Sequence, residues 1–190
     1  VYAEVFGRTL TPIDALTTEI YWKNEISAAL LLASSFHWKE HSPIRPHAVA
    51  GYSVGQYLAL HYAGVLNRQD LITLIFKRCK AMNKAAEYPN GAMAAILGMK
   101  YEQVEKIAFD QCVSISNNNA PGNITVAGDQ AQIAKVCEIA LKNGAYKAQL
   151  LNTSGAWHSH LMKPAVPDLK DAISQVELRP PEIPVIDNVT

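Results

Sequence analysis

The chain has 190 residues, enough for one ordinary hydrophobic core or for a core with a small subdomain. Apolar residues make up 49% and charged residues 18%, which excludes a disordered chain and is typical of a globular protein. The 17 basic and 17 acidic side chains cancel, so the charge gives no support for binding nucleic acid or a membrane surface.

The cysteines indicate the redox compartment. Cys79, Cys112 and Cys137 are odd in number and widely spaced. This pattern favours buried free thiols in a reducing compartment over a disulfide framework or a zinc site. With no signal-peptide pattern in view, we expect a cytoplasmic protein that holds no metal.

The first half of the chain predicts helices around one short strand. A buried helix is expected over Ile20–Trp38 and a strand over Ala48–Gly51. Two more helices follow, over Gln56–Ala63 and Gln69–Ala86. Tyr88–Gly91 then reads as a turn.

The next stretch alternates in the order strand–helix–strand–strand–helix–strand. The expected strands are Ala92–Leu97, Val113–Ser116, Asn123–Ala127 and Tyr146–Leu151, and the expected helices are Tyr101–Asp110 and Gln130–Asn143. Asn118–Gly122 is expected to be the loop between the middle strands. The order is a ferredoxin-like pattern. After it we expect a helix over Leu161–Gln175 and a strand over Ile183–Ile186.

The most informative motif is Gly51–Gly55, which reads Gly-Tyr-Ser-Val-Gly between the predicted strand and helix. This is the nucleophile elbow in its expected strand–turn–helix context. Such a turn exposes the Ser53 Oγ and brings backbone N–H groups and the positive end of the helix dipole near a developing oxyanion. The sequence therefore predicts acyl chemistry through a covalent ester on Ser53.

Together these patterns predict an α/β fold with two parts. Residues 1–88 and 153–190 would form an α/β-hydrolase-like core, and residues 89–152 an inserted ferredoxin-like subdomain. Because the chain begins without Met, we expect it to start inside the core. That both ends of the core are incomplete is an expectation implied by the family resemblance described below.

Ser53 needs a general base, and His158 is the strongest candidate among six histidines. It lies in the polar loop Ser154–His160, which follows the subdomain and could return to the top of the core sheet. His160 is the rival, and a purely structural histidine stays an open alternative. His61 is more than two helical turns beyond Ser53 and is expected to point away from it.

Several segments form an ordered series along the chain: Gly51–Tyr57, Ala63–Leu66, Arg78, Gly91–Ile96, Asn117–Gly122, Val126–Gly128 and Trp157–Ala165. In this order they resemble malonyl-CoA:acyl carrier protein transacylases and the acyltransferase domains of polyketide and fatty acid synthases. The resemblance extends from about Ala28 to Val189. It implies malonyl-CoA as substrate, the phosphopantetheine thiol of an acyl carrier protein as acceptor, and no bound cofactor.

The resemblance also implies roles for three central residues. Ser53 would be the nucleophile and His158 its base, as a dyad oriented by a main-chain carbonyl. Arg78 would pair with the free carboxylate of malonyl, which suits a guanidinium that stays charged when buried. Without the resemblance, an arginine on a helix is more often solvated.

Four further residues are implied at the substrate. The Val54 N–H would supply half of the oxyanion hole. Asn117 and Asn119 match loop asparagines near the active site, with plain turn chemistry as the alternative. Trp157 would leave little room for a branched acyl group, which favours malonyl over methylmalonyl.

Two departures adjoin the nucleophile. Tyr52 stands where the family usually has histidine, and Gln56 stands where it usually has glutamate. Tyr52 would alter the pocket wall, and Gln56 removes a charge beside the turn.

Three other functions stay open. An acyl-carrier-protein hydrolase of the same fold would pass the acyl group to water, but would have no use for Arg78. A general esterase would need an acid between Ser53 and His158, and Asp110 and Asp129 both fall in the ferredoxin-like pattern. A non-enzymatic docking domain of an assembly line is the fourth possibility.

Overall fold

The computed structural model describes residues 24–87 and 90–189, and the chain forms two compact units. The first comprises Val1–Lys80 and Pro167–Thr190, and the second Ala81–Val166. The start of the helix predicted from Ile20, and two residues of the turn predicted at Tyr88–Gly91, lie outside the described residues. Within the described ranges, no helix is long and apolar enough to cross a membrane.

The elements alternate between helix and strand along much of the chain. The helices are α1 (Asn24–His41), α2 (Gly55–Tyr62), α3 (Arg68–Ala86), α4 (Tyr101–Asp110), α5 (Gln130–Lys142) and α6 (Val166–Ser174). The strands are β1 (Val49–Ala50), β2 (Gly91–Leu97), β3 (Ser114–Ala120), β4 (Asn123–Asp129), β5 (Lys147–Leu150) and β6 (Val185–Ile186). A 3-10 helix over His160–Ala165 precedes α6. The fold is therefore mixed α/β.

In the first unit, β1 and β6 pair in parallel, with Ala50 opposite Ile186. The apolar face of α3 packs against α1 and the end of α6 in one buried cluster, which includes Leu32, Phe36, Leu71, Leu74, Ile75 and Ala172. Because the two strands run in parallel, the segments that follow them leave from the same edge of the sheet. The turn after β1 and the residues after β6 therefore come together.

The second unit is built on a four-stranded sheet in the order β3-β4-β2-β5. Every neighbouring pair in it is antiparallel. Alternate residues of β2 and β4 face α4 and α5, and the shared core includes Ile96, Ile124, Val126, Val104, Ile133 and Val136. The predicted bounds 89–152 enclose all four strands, while the compact unit is wider.

Two predicted elements differ from the structure. The loop predicted over Asn118–Gly122 is wrong in its first part, because β3 continues to Ala120 and pairs with β4 through two register irregularities. The asparagines are poor strand formers, and the pairing with β4 overrides that preference. The single helix predicted over Leu161–Gln175 is divided, because Pro164 lacks an N–H and stands inside the 3-10 turn.

Candidate active site

The turn after β1 holds Ser53 in a left-handed backbone conformation, with φ of 51°. Two local hydrogen bonds close the turn: the Gly55 N–H donates to the Tyr52 carbonyl at 2.8 Å, and the Gln56 N–H to the Ser53 carbonyl at 3.1 Å. Left-handed geometry at a residue with a Cβ costs about 1–3 kcal/mol and persists only where its surroundings impose it. The turn places Ser53 two residues before the start of α2, in the strand–turn–helix arrangement that the motif predicts.

Arg78 lies beside this serine. It projects from α3, is only 8% exposed, and its Nη2 donates to the Ser53 Oγ at 3.1 Å. Among the described residues no carboxylate is within salt-bridge distance of its guanidinium. Arg78 is therefore not a solvated surface arginine but a buried cation at the nucleophile.

The aromatic ring of Tyr57 forms one side of this environment. The Arg78 Cζ lies 5.9 Å from the centroid of the ring. Burial raises the pKa of the Tyr57 phenol, and the positive charge of Arg78 partly offsets that rise. Tyr57 therefore stays neutral near pH 7, and it does not neutralise the guanidinium.

Asn188 contacts this turn, and the sequence analysis did not identify it as a site residue. Its Oδ1 accepts the Ser53 N–H at 2.9 Å, and its Nδ2 donates to the Gly51 carbonyl at 2.6 Å and to the Gln56 Oε1 at 2.6 Å. The contact joins residues 135 positions apart, so no local pattern could reveal it. The parallel pairing of β1 and β6 brings Ser53 and Asn188 together, because each residue follows one of these strands. Knowledge of that pairing is what would have identified Asn188.

The second unit contains the polar loop Ser154–His160, called the histidine loop below. His158 is exposed and also left-handed, with φ of 59°. On one side of it, the Trp157 carbonyl accepts a hydrogen bond from the Ser116 Oγ at 2.9 Å. On the other side, the His160 N–H donates to the Ser114 Oγ at 3.2 Å. Two serines of β3 therefore hydrogen-bond to the backbone on either side of His158.

Trp157 and His160 serve the packing of this loop. The Trp157 side chain is partly buried against Met93, Ala127 and Ala156. The His160 Nδ1 lies 3.2 Å from the Ser114 Oγ. This bond gives the rival histidine a structural contact with β3.

Asn117 and Asn119 both lie in β3, although Asn119 was predicted to lie in the loop Asn118–Gly122. The Asn117 Oδ1 accepts a hydrogen bond from the Ser116 Oγ at 2.9 Å. The Asn119 Nδ2 donates to the Thr125 Oγ1 at 3.2 Å, across to β4. Their role at the substrate stays a prediction, with turn chemistry as the alternative.

The predicted site residues divide between the two units. Ser53, Val54 and Arg78 belong to the first, and the structure brings Ser53 and Arg78 into contact. No hydrogen bond within the described turn uses the Val54 N–H. His158, Trp157 and both asparagines belong to the second unit. The pairing of Ser53 with His158 stays a prediction.

Two other groups complete the account of candidate residues. The prediction of buried thiols holds for Cys79 and is wrong for Cys112, which is exposed. Within residues 24–87 and 90–189, no group of three or more histidine, cysteine, aspartate or glutamate side chains could hold a metal ion.

Known proteins resemble this chain over most of its length. A malonyl CoA-acyl carrier protein transacylase of Bacillus subtilis is 38% identical over 154 residues, which cover 78% of this chain and 49% of the relative. An acyl-carrier-protein S-malonyltransferase of Burkholderia pseudomallei superposes with a TM-score of 0.89 at 31% identity, covering 98% of this chain and 64% of that structure. A malonyl-transacylase solved in complex with a type II polyketide synthase acyl carrier protein gives a TM-score of 0.83 at 31% identity, covering 98% and 63%.

The chain spans about half the length of the curated relatives it matches. The family model described as the acyl transferase domain matches residues 26–190. That match covers far more than half of the chain and includes the turn at Ser53, the buried Arg78 and the histidine loop. The chain belongs to the acyl transferase domain family.

Proposed function

We propose that the protein transfers a malonyl group from malonyl-CoA to the phosphopantetheine thiol of an acyl carrier protein. The observation that carries this proposal is the hydrogen bond from the buried Arg78 guanidinium to the Ser53 Oγ. The relatives whose names specify malonyl transfer, and the solved complex with an acyl carrier protein, support the same conclusion.

Arg78 argues for an acyl group that carries its own carboxylate. A guanidinium remains charged at any working pH, and burying it without an anion is costly. A carboxylate on the substrate supplies that anion through charge-assisted hydrogen bonds. A neutral acetyl group or a simple fatty acyl chain would leave the cation without an anion from the part of the chain that the structure describes.

The chemistry then needs two matched half-reactions. His158 accepts the proton of the Ser53 hydroxyl as Oγ bonds to the thioester carbon, and the Val54 N–H donates to the oxyanion. The thioester bond breaks, and the departing sulfur of CoA takes the proton from His158. The carrier thiol then gives a proton to His158 while its sulfur bonds to the carbonyl carbon of the Ser53 ester. The bond from that carbon to Oγ breaks, and His158 returns the proton to Oγ, which yields free Ser53 and malonyl-carrier protein. Malonyl-CoA is a substrate here, and no step uses a cofactor.

The remaining predicted residues would shape this site. Trp157 would limit the acyl pocket to an unbranched group, and Asn117 and Asn119 would line its approach from β3.

We also infer the fold class of each unit from its strand order and pairing. The order β3-β4-β2-β5 with two helices over its core supports a ferredoxin-like subdomain, predicted over 89–152. The parallel β1–β6 pair and the serine turn support an α/β-hydrolase-like core.

The direct test is to mix the protein with malonyl-CoA and measure its intact mass. We expect a gain of one malonyl group, located on Ser53 by peptide mapping and absent in Ser53→Ala. Added holo acyl carrier protein should remove the group and appear as malonyl-carrier protein. If the ester instead passes to water at the same rate with or without the carrier, the protein is a hydrolase.

Acyl selectivity tests the role of Arg78. Charge-assisted hydrogen bonds contribute about 1.5–3 kcal/mol, so Arg78→Ala should lower kcat/KM for malonyl-CoA by about 10- to 100-fold. The value for acetyl-CoA should fall far less, because acetyl has no carboxylate. The matched control is Arg179→Ala, which removes an exposed arginine paired with Glu177. Equal losses for both esters would refute the assignment.

A further inference from the structure

The carboxamide of Asn188 directs its oxygen and both of its N–H donors to the nucleophile turn. An asparagine side chain has two N–H donors and one carbonyl oxygen. Here the oxygen accepts the Ser53 N–H, one donor serves the Gly51 carbonyl, and the other serves the Gln56 Oε1. The three bonds reach residues before, at and after the nucleophile.

The orientation of this carboxamide follows from its backbone partners. The Ser53 N–H can only donate, so Oδ1 must face it, and the Gly51 carbonyl can only accept, so Nδ2 must face that side. The second hydrogen on Nδ2 then requires an acceptor from Gln56. Glutamine supplies it through Oε1 and keeps the arrangement neutral.

The fold delivers Asn188 to this place. β1 and β6 are parallel neighbours in register at Ala50 and Ile186. Ser53 stands three residues beyond the first strand, and Asn188 two residues beyond the second. The Asn188 side chain, which follows the neighbouring strand, therefore lies beside the strained turn at Ser53.

We propose that Asn188, together with Gln56, is a positioning residue pair that holds Ser53 in its left-handed conformation. Neither side chain needs to touch substrate. Their effect is to fix the direction of the Ser53 Oγ and the adjacent Val54 N–H. The consequence for acyl transfer rests on the proposed function, whereas the consequence for serine reactivity does not.

Asn188→Asp tests this with a side chain of the same shape. Aspartate can still accept the Ser53 N–H, but it presents an oxygen to the Gly51 carbonyl and can donate to neither partner. We expect the rate at which a fluorophosphonate labels Ser53 to fall by about 10- to 100-fold. Asn143→Asp is the control, since it also adds a charge and loses a bond from Nδ2 to a main-chain carbonyl, that of Ile139. It should keep the labelling rate of the unaltered protein.

A double variant separates positioning from general damage. Gln56→Glu keeps an acceptor for Nδ2 and should slow labelling by no more than about three-fold. In Asn188→Asp, the Gln56 amide can turn and donate to the new carboxylate, which limits the loss. Asn188→Asp with Gln56→Glu sets two carboxylates face to face, so labelling should fall about ten-fold below the product of the single effects.

Thermal unfolding distinguishes loss of positioning from loss of the fold. Loading with malonyl-CoA distinguishes failure of the inference from failure of the proposed function. If Asn188→Asp does not fold, Gln56→Leu removes only the acceptor and should slow labelling about 3- to 10-fold with an unchanged melting temperature. Labelling of Asn188→Asp at the unaltered rate, or strictly multiplicative double-variant effects, would overturn the inference. If fluorophosphonate labels Ser53 but malonyl-CoA does not, the proposed function fails and the role of Asn188 stands.

Discussion

The two glycines that flank Ser53 are physically unequal. A Cβ on Gly51 would lie 1.9 Å from the Gly55 carbonyl oxygen and 2.4 Å from the Gln56 nitrogen. Both atoms belong to the backbone that closes the turn, so neither can move aside without opening it. A Cβ on Gly55 would meet no described atom within 4 Å. Only the first glycine of the motif is demanded by close approach.

We therefore predict opposite outcomes for two identical substitutions. Gly51→Ala should lower the melting temperature and reduce fluorophosphonate labelling of Ser53 by at least about 10-fold, since overpacking typically costs 1–3 kcal/mol. Gly55→Ala should keep labelling within about two-fold, because space is open and alanine suits the helix that begins there. Labelling rate and thermal unfolding, measured on both variants, check this. Equal behaviour of the two would contradict it.

At the scale of elements, strand β3 acts as a support for the histidine loop. The Ser116 hydroxyl has one proton and two nearby acceptors, the Trp157 carbonyl and the Asn117 Oδ1, each at 2.9 Å. One proton can serve only one of these acceptors fully at a time. The Trp157 carbonyl belongs to the peptide that leads into His158, so this bond restrains the residue expected to move the proton.

Ser116→Ala should therefore slow acyl transfer while leaving the fold intact. One neutral hydrogen bond contributes about 0.5–1.5 kcal/mol, so we expect kcat to fall roughly 2- to 10-fold with KM little changed. The control is Ser174→Ala, which loses an exposed bond to the Asp171 carbonyl at the end of α6 and should leave kcat unchanged. Full activity of Ser116→Ala would show that β3 does not support the loop in this way.

The helices and strands differ in how well the sequence predicts them. The predicted bounds of α4 are those observed, because its apolar residues recur at helical spacing. β3 was predicted too short, because its asparagines look like a turn until β4 is there to pair with them. Asn188 could not be predicted at all, because its role depends on a parallel pairing between strands far apart in the chain. The motif carries Ser53, but the residues that hold it belong to the tertiary structure.

At the scale of the whole molecule, one buried histidine links stability to pH. His61 is 9% exposed and packs edge-on against Phe36. Its Nδ1 lies 2.7 Å from the Leu66 carbonyl, so that nitrogen carries the proton of the neutral ring. Burial lowers the His61 pKa, the bond to Leu66 partly opposes this, and the charges of Lys39 and Arg68 lower it further.

The sign of the pH dependence follows from that lowered pKa. In the unfolded chain, His61 binds a proton as pH falls through about 6.5, whereas the folded protein keeps the ring neutral to lower pH. The unfolded state then holds more protons, so the free energy of unfolding decreases as pH falls below that value. We expect urea unfolding midpoints to drop between about pH 7.5 and pH 5, and to drop less in His61→Gln, whose amide can still donate to Leu66. His41→Gln, at an exposed histidine on α1, should retain the full decrease. A decrease of the same size in His61→Gln would assign the acid sensitivity to other groups.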